Sequence, residues 1–232
     1  EASADLLGDV DRILKKTRSK AGVESEQIRL GSMYSLTANI IPRIIMGTKT
    51  RRPDLDIDLY LGSNEDLIKK LTEGSVDAVV IAVPEKDLPE GVQVVSLFED
   101  QLFLASSKAS KPAASSIDLS EYQNEKFLTL QDGFATTSGF YEAFKLAGFK
   151  PNVVMKVGDI FSLMNMVSGE LGRSLLPGRV KALMGNAIEF TPLLPKYQVT
   201  QRIGLMYLKA NESNPNILAL AAEARMLHRN NP

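Results

Sequence analysis

Three short turns hold most of the side chains that could do chemistry here. Gly31 to Thr37, Leu61 to Asn64 and Leu130 to Ser138 each lead from an apolar stretch into a helix-like one, and each carries glycine and hydroxyl groups. A helix start presents backbone N–H groups with no intrahelical partner, so hydroxyls beside it make a receptor for a small anion such as a carboxylate. Any one of these hydroxyls is also an ordinary helix cap. Three such turns in one chain favour facing helix ends that enclose a small carboxylate. Arg173 stands out for a different reason: it is a cation in Leu171-Gly-Arg-Ser-Leu-Leu-Pro177, where the pattern calls for a small or apolar residue entering a buried strand. It either pairs with a buried carboxylate of its own protein or reaches a ligand with its planar fork.

Other chemistries lack their residues. The chain has no cysteine and a single histidine, His228, which removes thiolate nucleophiles, disulfides and Cys-ligated metals and leaves no histidine-centred triad. No nucleophile is paired with a base, so an enzyme is not expected. None of the three turns carries a phosphate-loop lysine, and Gly169-Glu-Leu-Gly172 is too short for a dinucleotide fingerprint, so no cofactor is expected. The basic cluster Lys49-Thr-Arg51-Arg52 reads as a solvated helix end, and Met164 and Met166 with Phe161, Leu163 and Val167 read as core.

Length and composition set the frame for those turns. The 232 residues are 44% hydrophobic and 24% charged, an ordinary globular balance that excludes disordered and fibrous classes. Net charge is −1, from 27 basic and 28 acidic residues, so there is no global basic field to bind nucleic acid unaided. The apolar run over 78–83 is far short of a bilayer span, and residues 1–20 are a charged mixture, so a cytoplasmic protein with no membrane partner is expected.

The elements that must position the turns follow from periodicity. After Gly22 the pattern switches repeatedly between periods of two and 3.6, the signature of βα units. Strands are expected over 27–30, 54–61, 78–83 and 92–105, the last interrupted near Glu99-Asp100, with helices through Ile40 to Ile45 and over 64–73. Within 54–61 strict alternation puts Leu55, Ile57, Leu59 and Leu61 on one face. The continuous run over 78–83 is the mark of a strand covered on both faces of a parallel sheet. Residues 106–116 are small and polar, a surface loop rather than an interdomain linker on composition. A second series follows: strands over 127–130, 153–157 and 174–176, helices over 138–147, 159–168 and 179–184, then a closing strand over 201–208 and helix over 216–228. Two sets of βα units with a strand and helix left over suggest two similar lobes, the chain returning at its end to the first.

The first 21 residues repeat Ser3, Leu7, Val10, Leu14, Thr17 and Ala21 as a heptad seam flanked by charges. That helix either dimerises or packs on its own domain.

In this order and spacing, the heptad helix, Ile28-Arg-Leu-Gly31 leading to Ile40-Ile-Pro42-Arg-Ile-Ile45, Arg52-Pro-Asp-Leu-Asp-Ile-Asp-Leu59, Leu71-Thr-Glu-Gly-Ser-Val-Asp-Ala78 and Leu171-Gly-Arg-Ser-Leu-Leu-Pro177 resemble the LysR-type transcriptional regulators along essentially the whole chain. The resemblance implies an α/β fold of periplasmic-binding-protein-like type II: two Rossmann-like subdomains with a central cleft, preceded by an N-terminal linker helix. Its divisions fall at 1–23 for that helix, 24–101 completed by 202–232 for one effector-binding subdomain, and 102–201 for the other. The family's winged helix-turn-helix has no counterpart in this sequence, so DNA would be bound only through an N-terminal domain it does not contain, in a homo-oligomer, commonly a tetramer. A small, often anionic effector would occupy the cleft. Carried across residue by residue, the effector contacts fall on Ser35 with Leu36 and Thr37, on Ser63 and Asn64, and on Thr136, Thr137 and Ser138. The family usually has an apolar residue where Arg173 stands, a departure that points to a second anionic group on the ligand. With Ser174-Leu-Leu-Pro-Gly-Arg179 it resembles the malonate-responsive branch, which adds Ser174 to the candidate contacts. A solute-binding protein of a transporter shares the architecture and is the rival expectation.

Overall fold

The computed structural model describes residues 27–110 and 114–230. The linker helix expected over 1–23 lies outside them. Strands and helices alternate as β1 (Gln27–Ser32), α1 (Ile40–Arg51), β2 (Asp56–Leu61), α2 (Asn64–Thr72), β3 (Ala78–Ala82), β4 (Val92–Ser107), β5 (Lys126–Leu130), α3 (Ala135–Ala147), β6 (Asn152–Val157), α4 (Ile160–Ser168), β7 (Ser174–Pro177), α5 (Lys181–Met184), β8 (Ile188–Pro192), β9 (Thr200–Leu208) and α6 (Pro215–Asn230). They divide into two compact units, the first of residues 27–33, 39–98 and 203–230, the second of 34–38, 99–110 and 114–202.

In the first unit the strand order is β2-β1-β3-β9-β4, with β1 parallel to β2 and β3 and with β9 antiparallel to β3. Every residue of β3 is buried, as its unbroken apolar run requires. β2 pairs with β1 alone and forms the sheet edge; Leu55 just before it is buried, but Leu59 and Leu61 stay exposed, so the inward face expected of that alternation is only begun. Gly31 lets β1 approach α2 closely, because a Cβ there would stand 2.8 Å from both Leu67 Cδ2 and Val79 Cγ1. α1 packs along α6, where Arg51 Nε donates to Glu223 Oε1 at 2.6 Å.

In the second unit β4 lies between β7 and β8 and is antiparallel to both, while β5 and β6 form a parallel pair. The Leu128 N–H donates to the Arg173 carbonyl at 2.8 Å, tying β5 to the entry of β7. Two cores result. One gathers Phe127, Phe140 and Phe144 with Leu102, Leu104 and Leu175, the rings of Phe127 and Phe144 meeting edge-on at 4.6 Å. The other sets Leu163, Met164 and Val167 of α4 against Leu128, Leu130, Leu176 and Val180.

Several elements depart from expectation. The sheet is mixed rather than wholly parallel, since β9 and the far half of β4 pair antiparallel with their neighbours. β4 continues unbroken through Glu99 and Asp100 to Ser107, and β8 was not anticipated at all. α3 begins at Ala135, three residues before the expected start, and α5 begins at Lys181, leaving Arg179 in the 3₁₀ turn Gly178–Val180 that precedes it. Residues 34–38 belong with the second unit although the chain on either side belongs to the first: Tyr34 packs on the α4 core, and Ser35 bonds to Arg179.

Candidate functional site

β7 is a short, wholly buried strand that ends at Pro177. Gly178 follows because the place its Cβ would take lies 2.7 Å from Asp100 Oδ1. The 3₁₀ turn then sinks Val180 into the α4 core and turns Arg179 inward. Asp100 Oδ2 accepts both the Arg179 backbone N–H and its Nη1–H, each at 3.0 Å. Nη1 also donates to Gln201 Oε1 at 2.9 Å, and Nε donates to the Ser35 hydroxyl at 2.9 Å. Ser35 is carried by the 3₁₀ turn Tyr34–Leu36, which Thr37 closes by donating its hydroxyl to the Tyr34 carbonyl at 2.8 Å.

The fork is almost dry: the Arg179 side chain is 6% exposed and that of Asp100 10%. Burial pulls the guanidinium below its ordinary value and the charge of Asp100 opposes that pull, leaving a buried ion pair. Such a pair is stable only when its remaining N–H groups are matched. Arg179 Nη2 and Gln201 Nε2 are both buried without a hydrogen-bond partner. Gln201 Nε2 also lies 3.8 Å from where a Gly139 Cβ would be, which places it against the first turns of α3. The residue before α3, Phe134, offers no side-chain cap to the helix N–H groups. Unmatched donors on a cation, beside a hydroxyl and an uncapped helix, can hold a carboxylate.

The residues singled out in the sequence fare differently. Ser35 joins the fork, and Leu36 is buried beside it. Thr136 is buried in the first turn of α3. Thr137 instead donates its hydroxyl to the carbonyls of Leu130 and Gln131, both at 3.1 Å, and Ser138 Oγ lies 3.5 Å from the Phe134 carbonyl, so these two close the turn. In the first unit Ser63 caps α2 by accepting the Asp66 N–H at 3.2 Å, and Asn64 donates to the Ala82 carbonyl at 2.6 Å while its buried Oδ1 has no partner. Ser174 Oγ is likewise buried without a partner.

Arg173 is not on the fork. It sits beyond the opposite end of β7, where Nε meets Glu125 Oε2 at 3.2 Å, Nη1 donates to the Ser110 carbonyl at 2.9 Å, and the guanidinium lies 5.6 Å from the Tyr122 ring centroid. Its partner is internal, but the Glu125 carboxylate is about half exposed rather than the buried acid its sequence context allowed. Arg179, six positions on, carries the unmatched donors that sequence reasoning sought at Arg173. Among the described residues no group of three or more acidic or histidine side chains is placed to hold a metal ion, and no helix is long and apolar enough to cross a membrane.

Comparison with known proteins gives this geometry a family. The model of the LysR substrate binding domain matches residues 21–228. The malonate utilization transcriptional regulator of Klebsiella pneumoniae is 42% identical over 231 residues, 99% of this chain and 75% of that protein. The HTH-type transcriptional regulator EstR of Acinetobacter baylyi is 22% identical over 172 residues, and this chain covers 56% of its length. Among solved structures, the regulatory domain of CcmR from Synechocystis in complex with 2-PG superposes with a TM-score of 0.78 at 14% identity, covering 88% of this chain and 98% of that one. The effector binding domain of QuiR in complex with shikimate gives 0.76 at 17%, covering 88% and 97%. The relatives at sequence level are regulators, whereas the rival expectation called for solute-binding proteins of transporters.

Proposed function

The chain belongs to the LysR substrate binding domain family, the effector-binding part of LysR-type transcriptional regulators, and we propose that the effector it senses is malonate or a closely related short dicarboxylate. One observation carries the reading: 42% identity over 99% of the chain to a regulator of malonate utilization. The site chemistry supports it, since Ser35 and Arg179 offer hydroxyl and guanidinium donors with N–H groups left over. Ser63, Asn64 and Thr136, at the starts of α2 and α3, are the further contacts we assign to the effector. The chain spans three quarters of the Klebsiella regulator's length. As in a transcriptional regulator of that kind, effector occupancy would control the binding of an oligomer to DNA in the cytoplasm.

A melting series tests the reading directly. A ligand that binds only the folded state at a hundredfold its Kd adds about 2.7 kcal/mol, which in a chain of this size raises Tm by roughly 5–10 °C. Malonate should produce that shift and sodium chloride at equal ionic strength should not. A folded protein whose Tm ignores malonate, succinate and acetate alike at tens of millimolar would overturn the proposal.

A further inference from the structure

The guanidinium of Arg179 has five N–H bonds, and their partners can be counted. The one on Nε goes to Ser35, and the two on Nη1 go to Asp100 and Gln201. Among the described residues the two on Nη2 have no acceptor. Gln201 accepts from Nη1 through Oε1, and a flipped amide would set donor against donor, so Arg179 fixes its Nε2 as the outward end. Those two N–H bonds are also buried and unmatched. Ser35, whose oxygen accepts from Nε, keeps its own O–H to donate. Asp100 does not supply the missing acceptor: Oδ2 takes two N–H groups of Arg179, Oδ1 takes the Gln101 N–H at 2.9 Å, and no hydrogen bond from Nη2 reaches either oxygen. What this cluster lacks is an acceptor of negative charge.

We propose that Arg179 and Gln201 are the specificity-determining pair of the effector site, together taking one carboxylate of a ligand that carries two. This rests on the effector-sensing reading above and names the groups that hold one end of the ligand. Nη2 and Nε of an arginine point along the same edge of the fork, so a carboxylate on Nη2 comes alongside the Ser35 hydroxyl. Gln201 Nε2 lies against the first turns of α3, whose start near Thr136, with no side-chain cap, suits the second carboxylate. A monocarboxylate can match one of the two receptors and leaves the other unmatched. The selectivity comes from that difference.

Isothermal titration of the whole chain with malonate and with monomethyl malonate, which has the same backbone and one charge fewer, tests the assignment. The unaltered protein should bind malonate at least tenfold more tightly than the ester. Gln201→Glu keeps an acceptor for Nη1 and gives Arg179 a second counter-ion, so the fold should hold and Tm should not fall, yet it replaces the free donor by a negative charge. Malonate affinity should drop a hundredfold or more and the preference over the ester should vanish. Arg179→Lys keeps the charge without the fork and should cut the preference at least fivefold. If both variants retain the full preference, Arg179 and Gln201 are structural and the assignment is overturned while effector sensing stands. If the unaltered protein binds neither probe, the functional reading itself fails and takes this one with it.

Discussion

The Nε–H of Arg179 donates to the hydroxyl of Ser35 at 2.9 Å, joining residues 144 positions apart in the chain. This bond anchors residues 34–38 in the second unit, and it leaves the Ser35 hydrogen free for a further acceptor. Ser35→Ala would remove both the acceptor for Nε and the donor for a ligand. Loss of one hydrogen bond to a charged ligand costs about 1.5–3 kcal/mol, roughly ten- to a hundredfold in affinity. Calorimetry with malonate should show that loss, with a drop in Tm of only a few degrees. Unchanged affinity would move the effector away from Ser35.

Arg173→Met is expected to behave in the opposite way. The Glu125 carboxylate it meets is about half exposed, so the ion pair contributes at most ~1 kcal/mol, and the bond to the Ser110 carbonyl and the Tyr122 ring add about 1 kcal/mol more. The variant should lose about 1–2 kcal/mol of stability by chemical denaturation, while malonate affinity in the folded protein stays within twofold of the original. An affinity loss of tenfold or more would return Arg173 to the effector site.

These two arginines show what local sequence reveals and what it hides. Arg173 stood out because it interrupts a run of small and apolar residues, a contrast visible within seven positions. The partners of Arg179 lie at 35, 100 and 201, so no window of sequence contains the cluster. Its signals were nevertheless present: Pro177-Gly178 at the carboxyl end of a buried strand, where α/β folds place ligand groups, and acidic Asp100 breaking the apolar pattern of β4. By pattern alone the break suggests a strand interruption, whereas β4 runs straight through and presents Asp100 to the guanidinium. Helices α1, α2, α4 and α6 were legible because a period of 3.6 is a local property. Strand direction is not, since a strand covered on both faces reads as a continuous apolar run whether its neighbours are parallel or antiparallel, and β3 has one of each, which is why the antiparallel pairing of β9 with β3 does not follow from the sequence. β8 is five residues long and carries Glu189 inside it, too short for alternation to register.

Asp118 sets an acid limit on the second unit. The Ser120 hydroxyl at 2.6 Å, the Tyr197 hydroxyl at 2.7 Å and the Lys196 ammonium at 2.9 Å all donate to its carboxylate. The Ser120 bond first, then those of Tyr197 and Lys196, hold that carboxyl well below the usual carboxylate range. A lowered folded-state value means that Asp118 adds stability at every pH above its unfolded value of about 3.9, and that this contribution fades as pH falls further toward the folded value. Melting curves of the original protein and Asp118→Asn should differ by a constant amount from pH 7 to about 5 and converge below about pH 4. A gap that persists undiminished at pH 2.5 would mean the three donors act through packing rather than through charge.

Asp100→Asn probes the fork from its other side. The change removes the counter-ion of a buried guanidinium and leaves Arg179 charged in a dry setting, which typically costs about 3–5 kcal/mol when one member of a buried pair is lost. Tm in the absence of ligand should therefore fall well below that of the original protein. A dicarboxylate bound at Nη2 brings back a negative charge to the same guanidinium, so the variant gains more from malonate than the original does. The Tm gap between the two proteins should shrink by at least a third at saturating malonate and stay constant with acetate at equal ionic strength. Lys181, stacked 3.3 Å from the centroid of the Phe103 ring and facing the charge of Asp100, loses the same neighbour in both conditions and so cancels from the comparison. A gap of equal size with and without malonate would mean that the ligand carboxylate does not sit on the guanidinium, whatever else the effector touches.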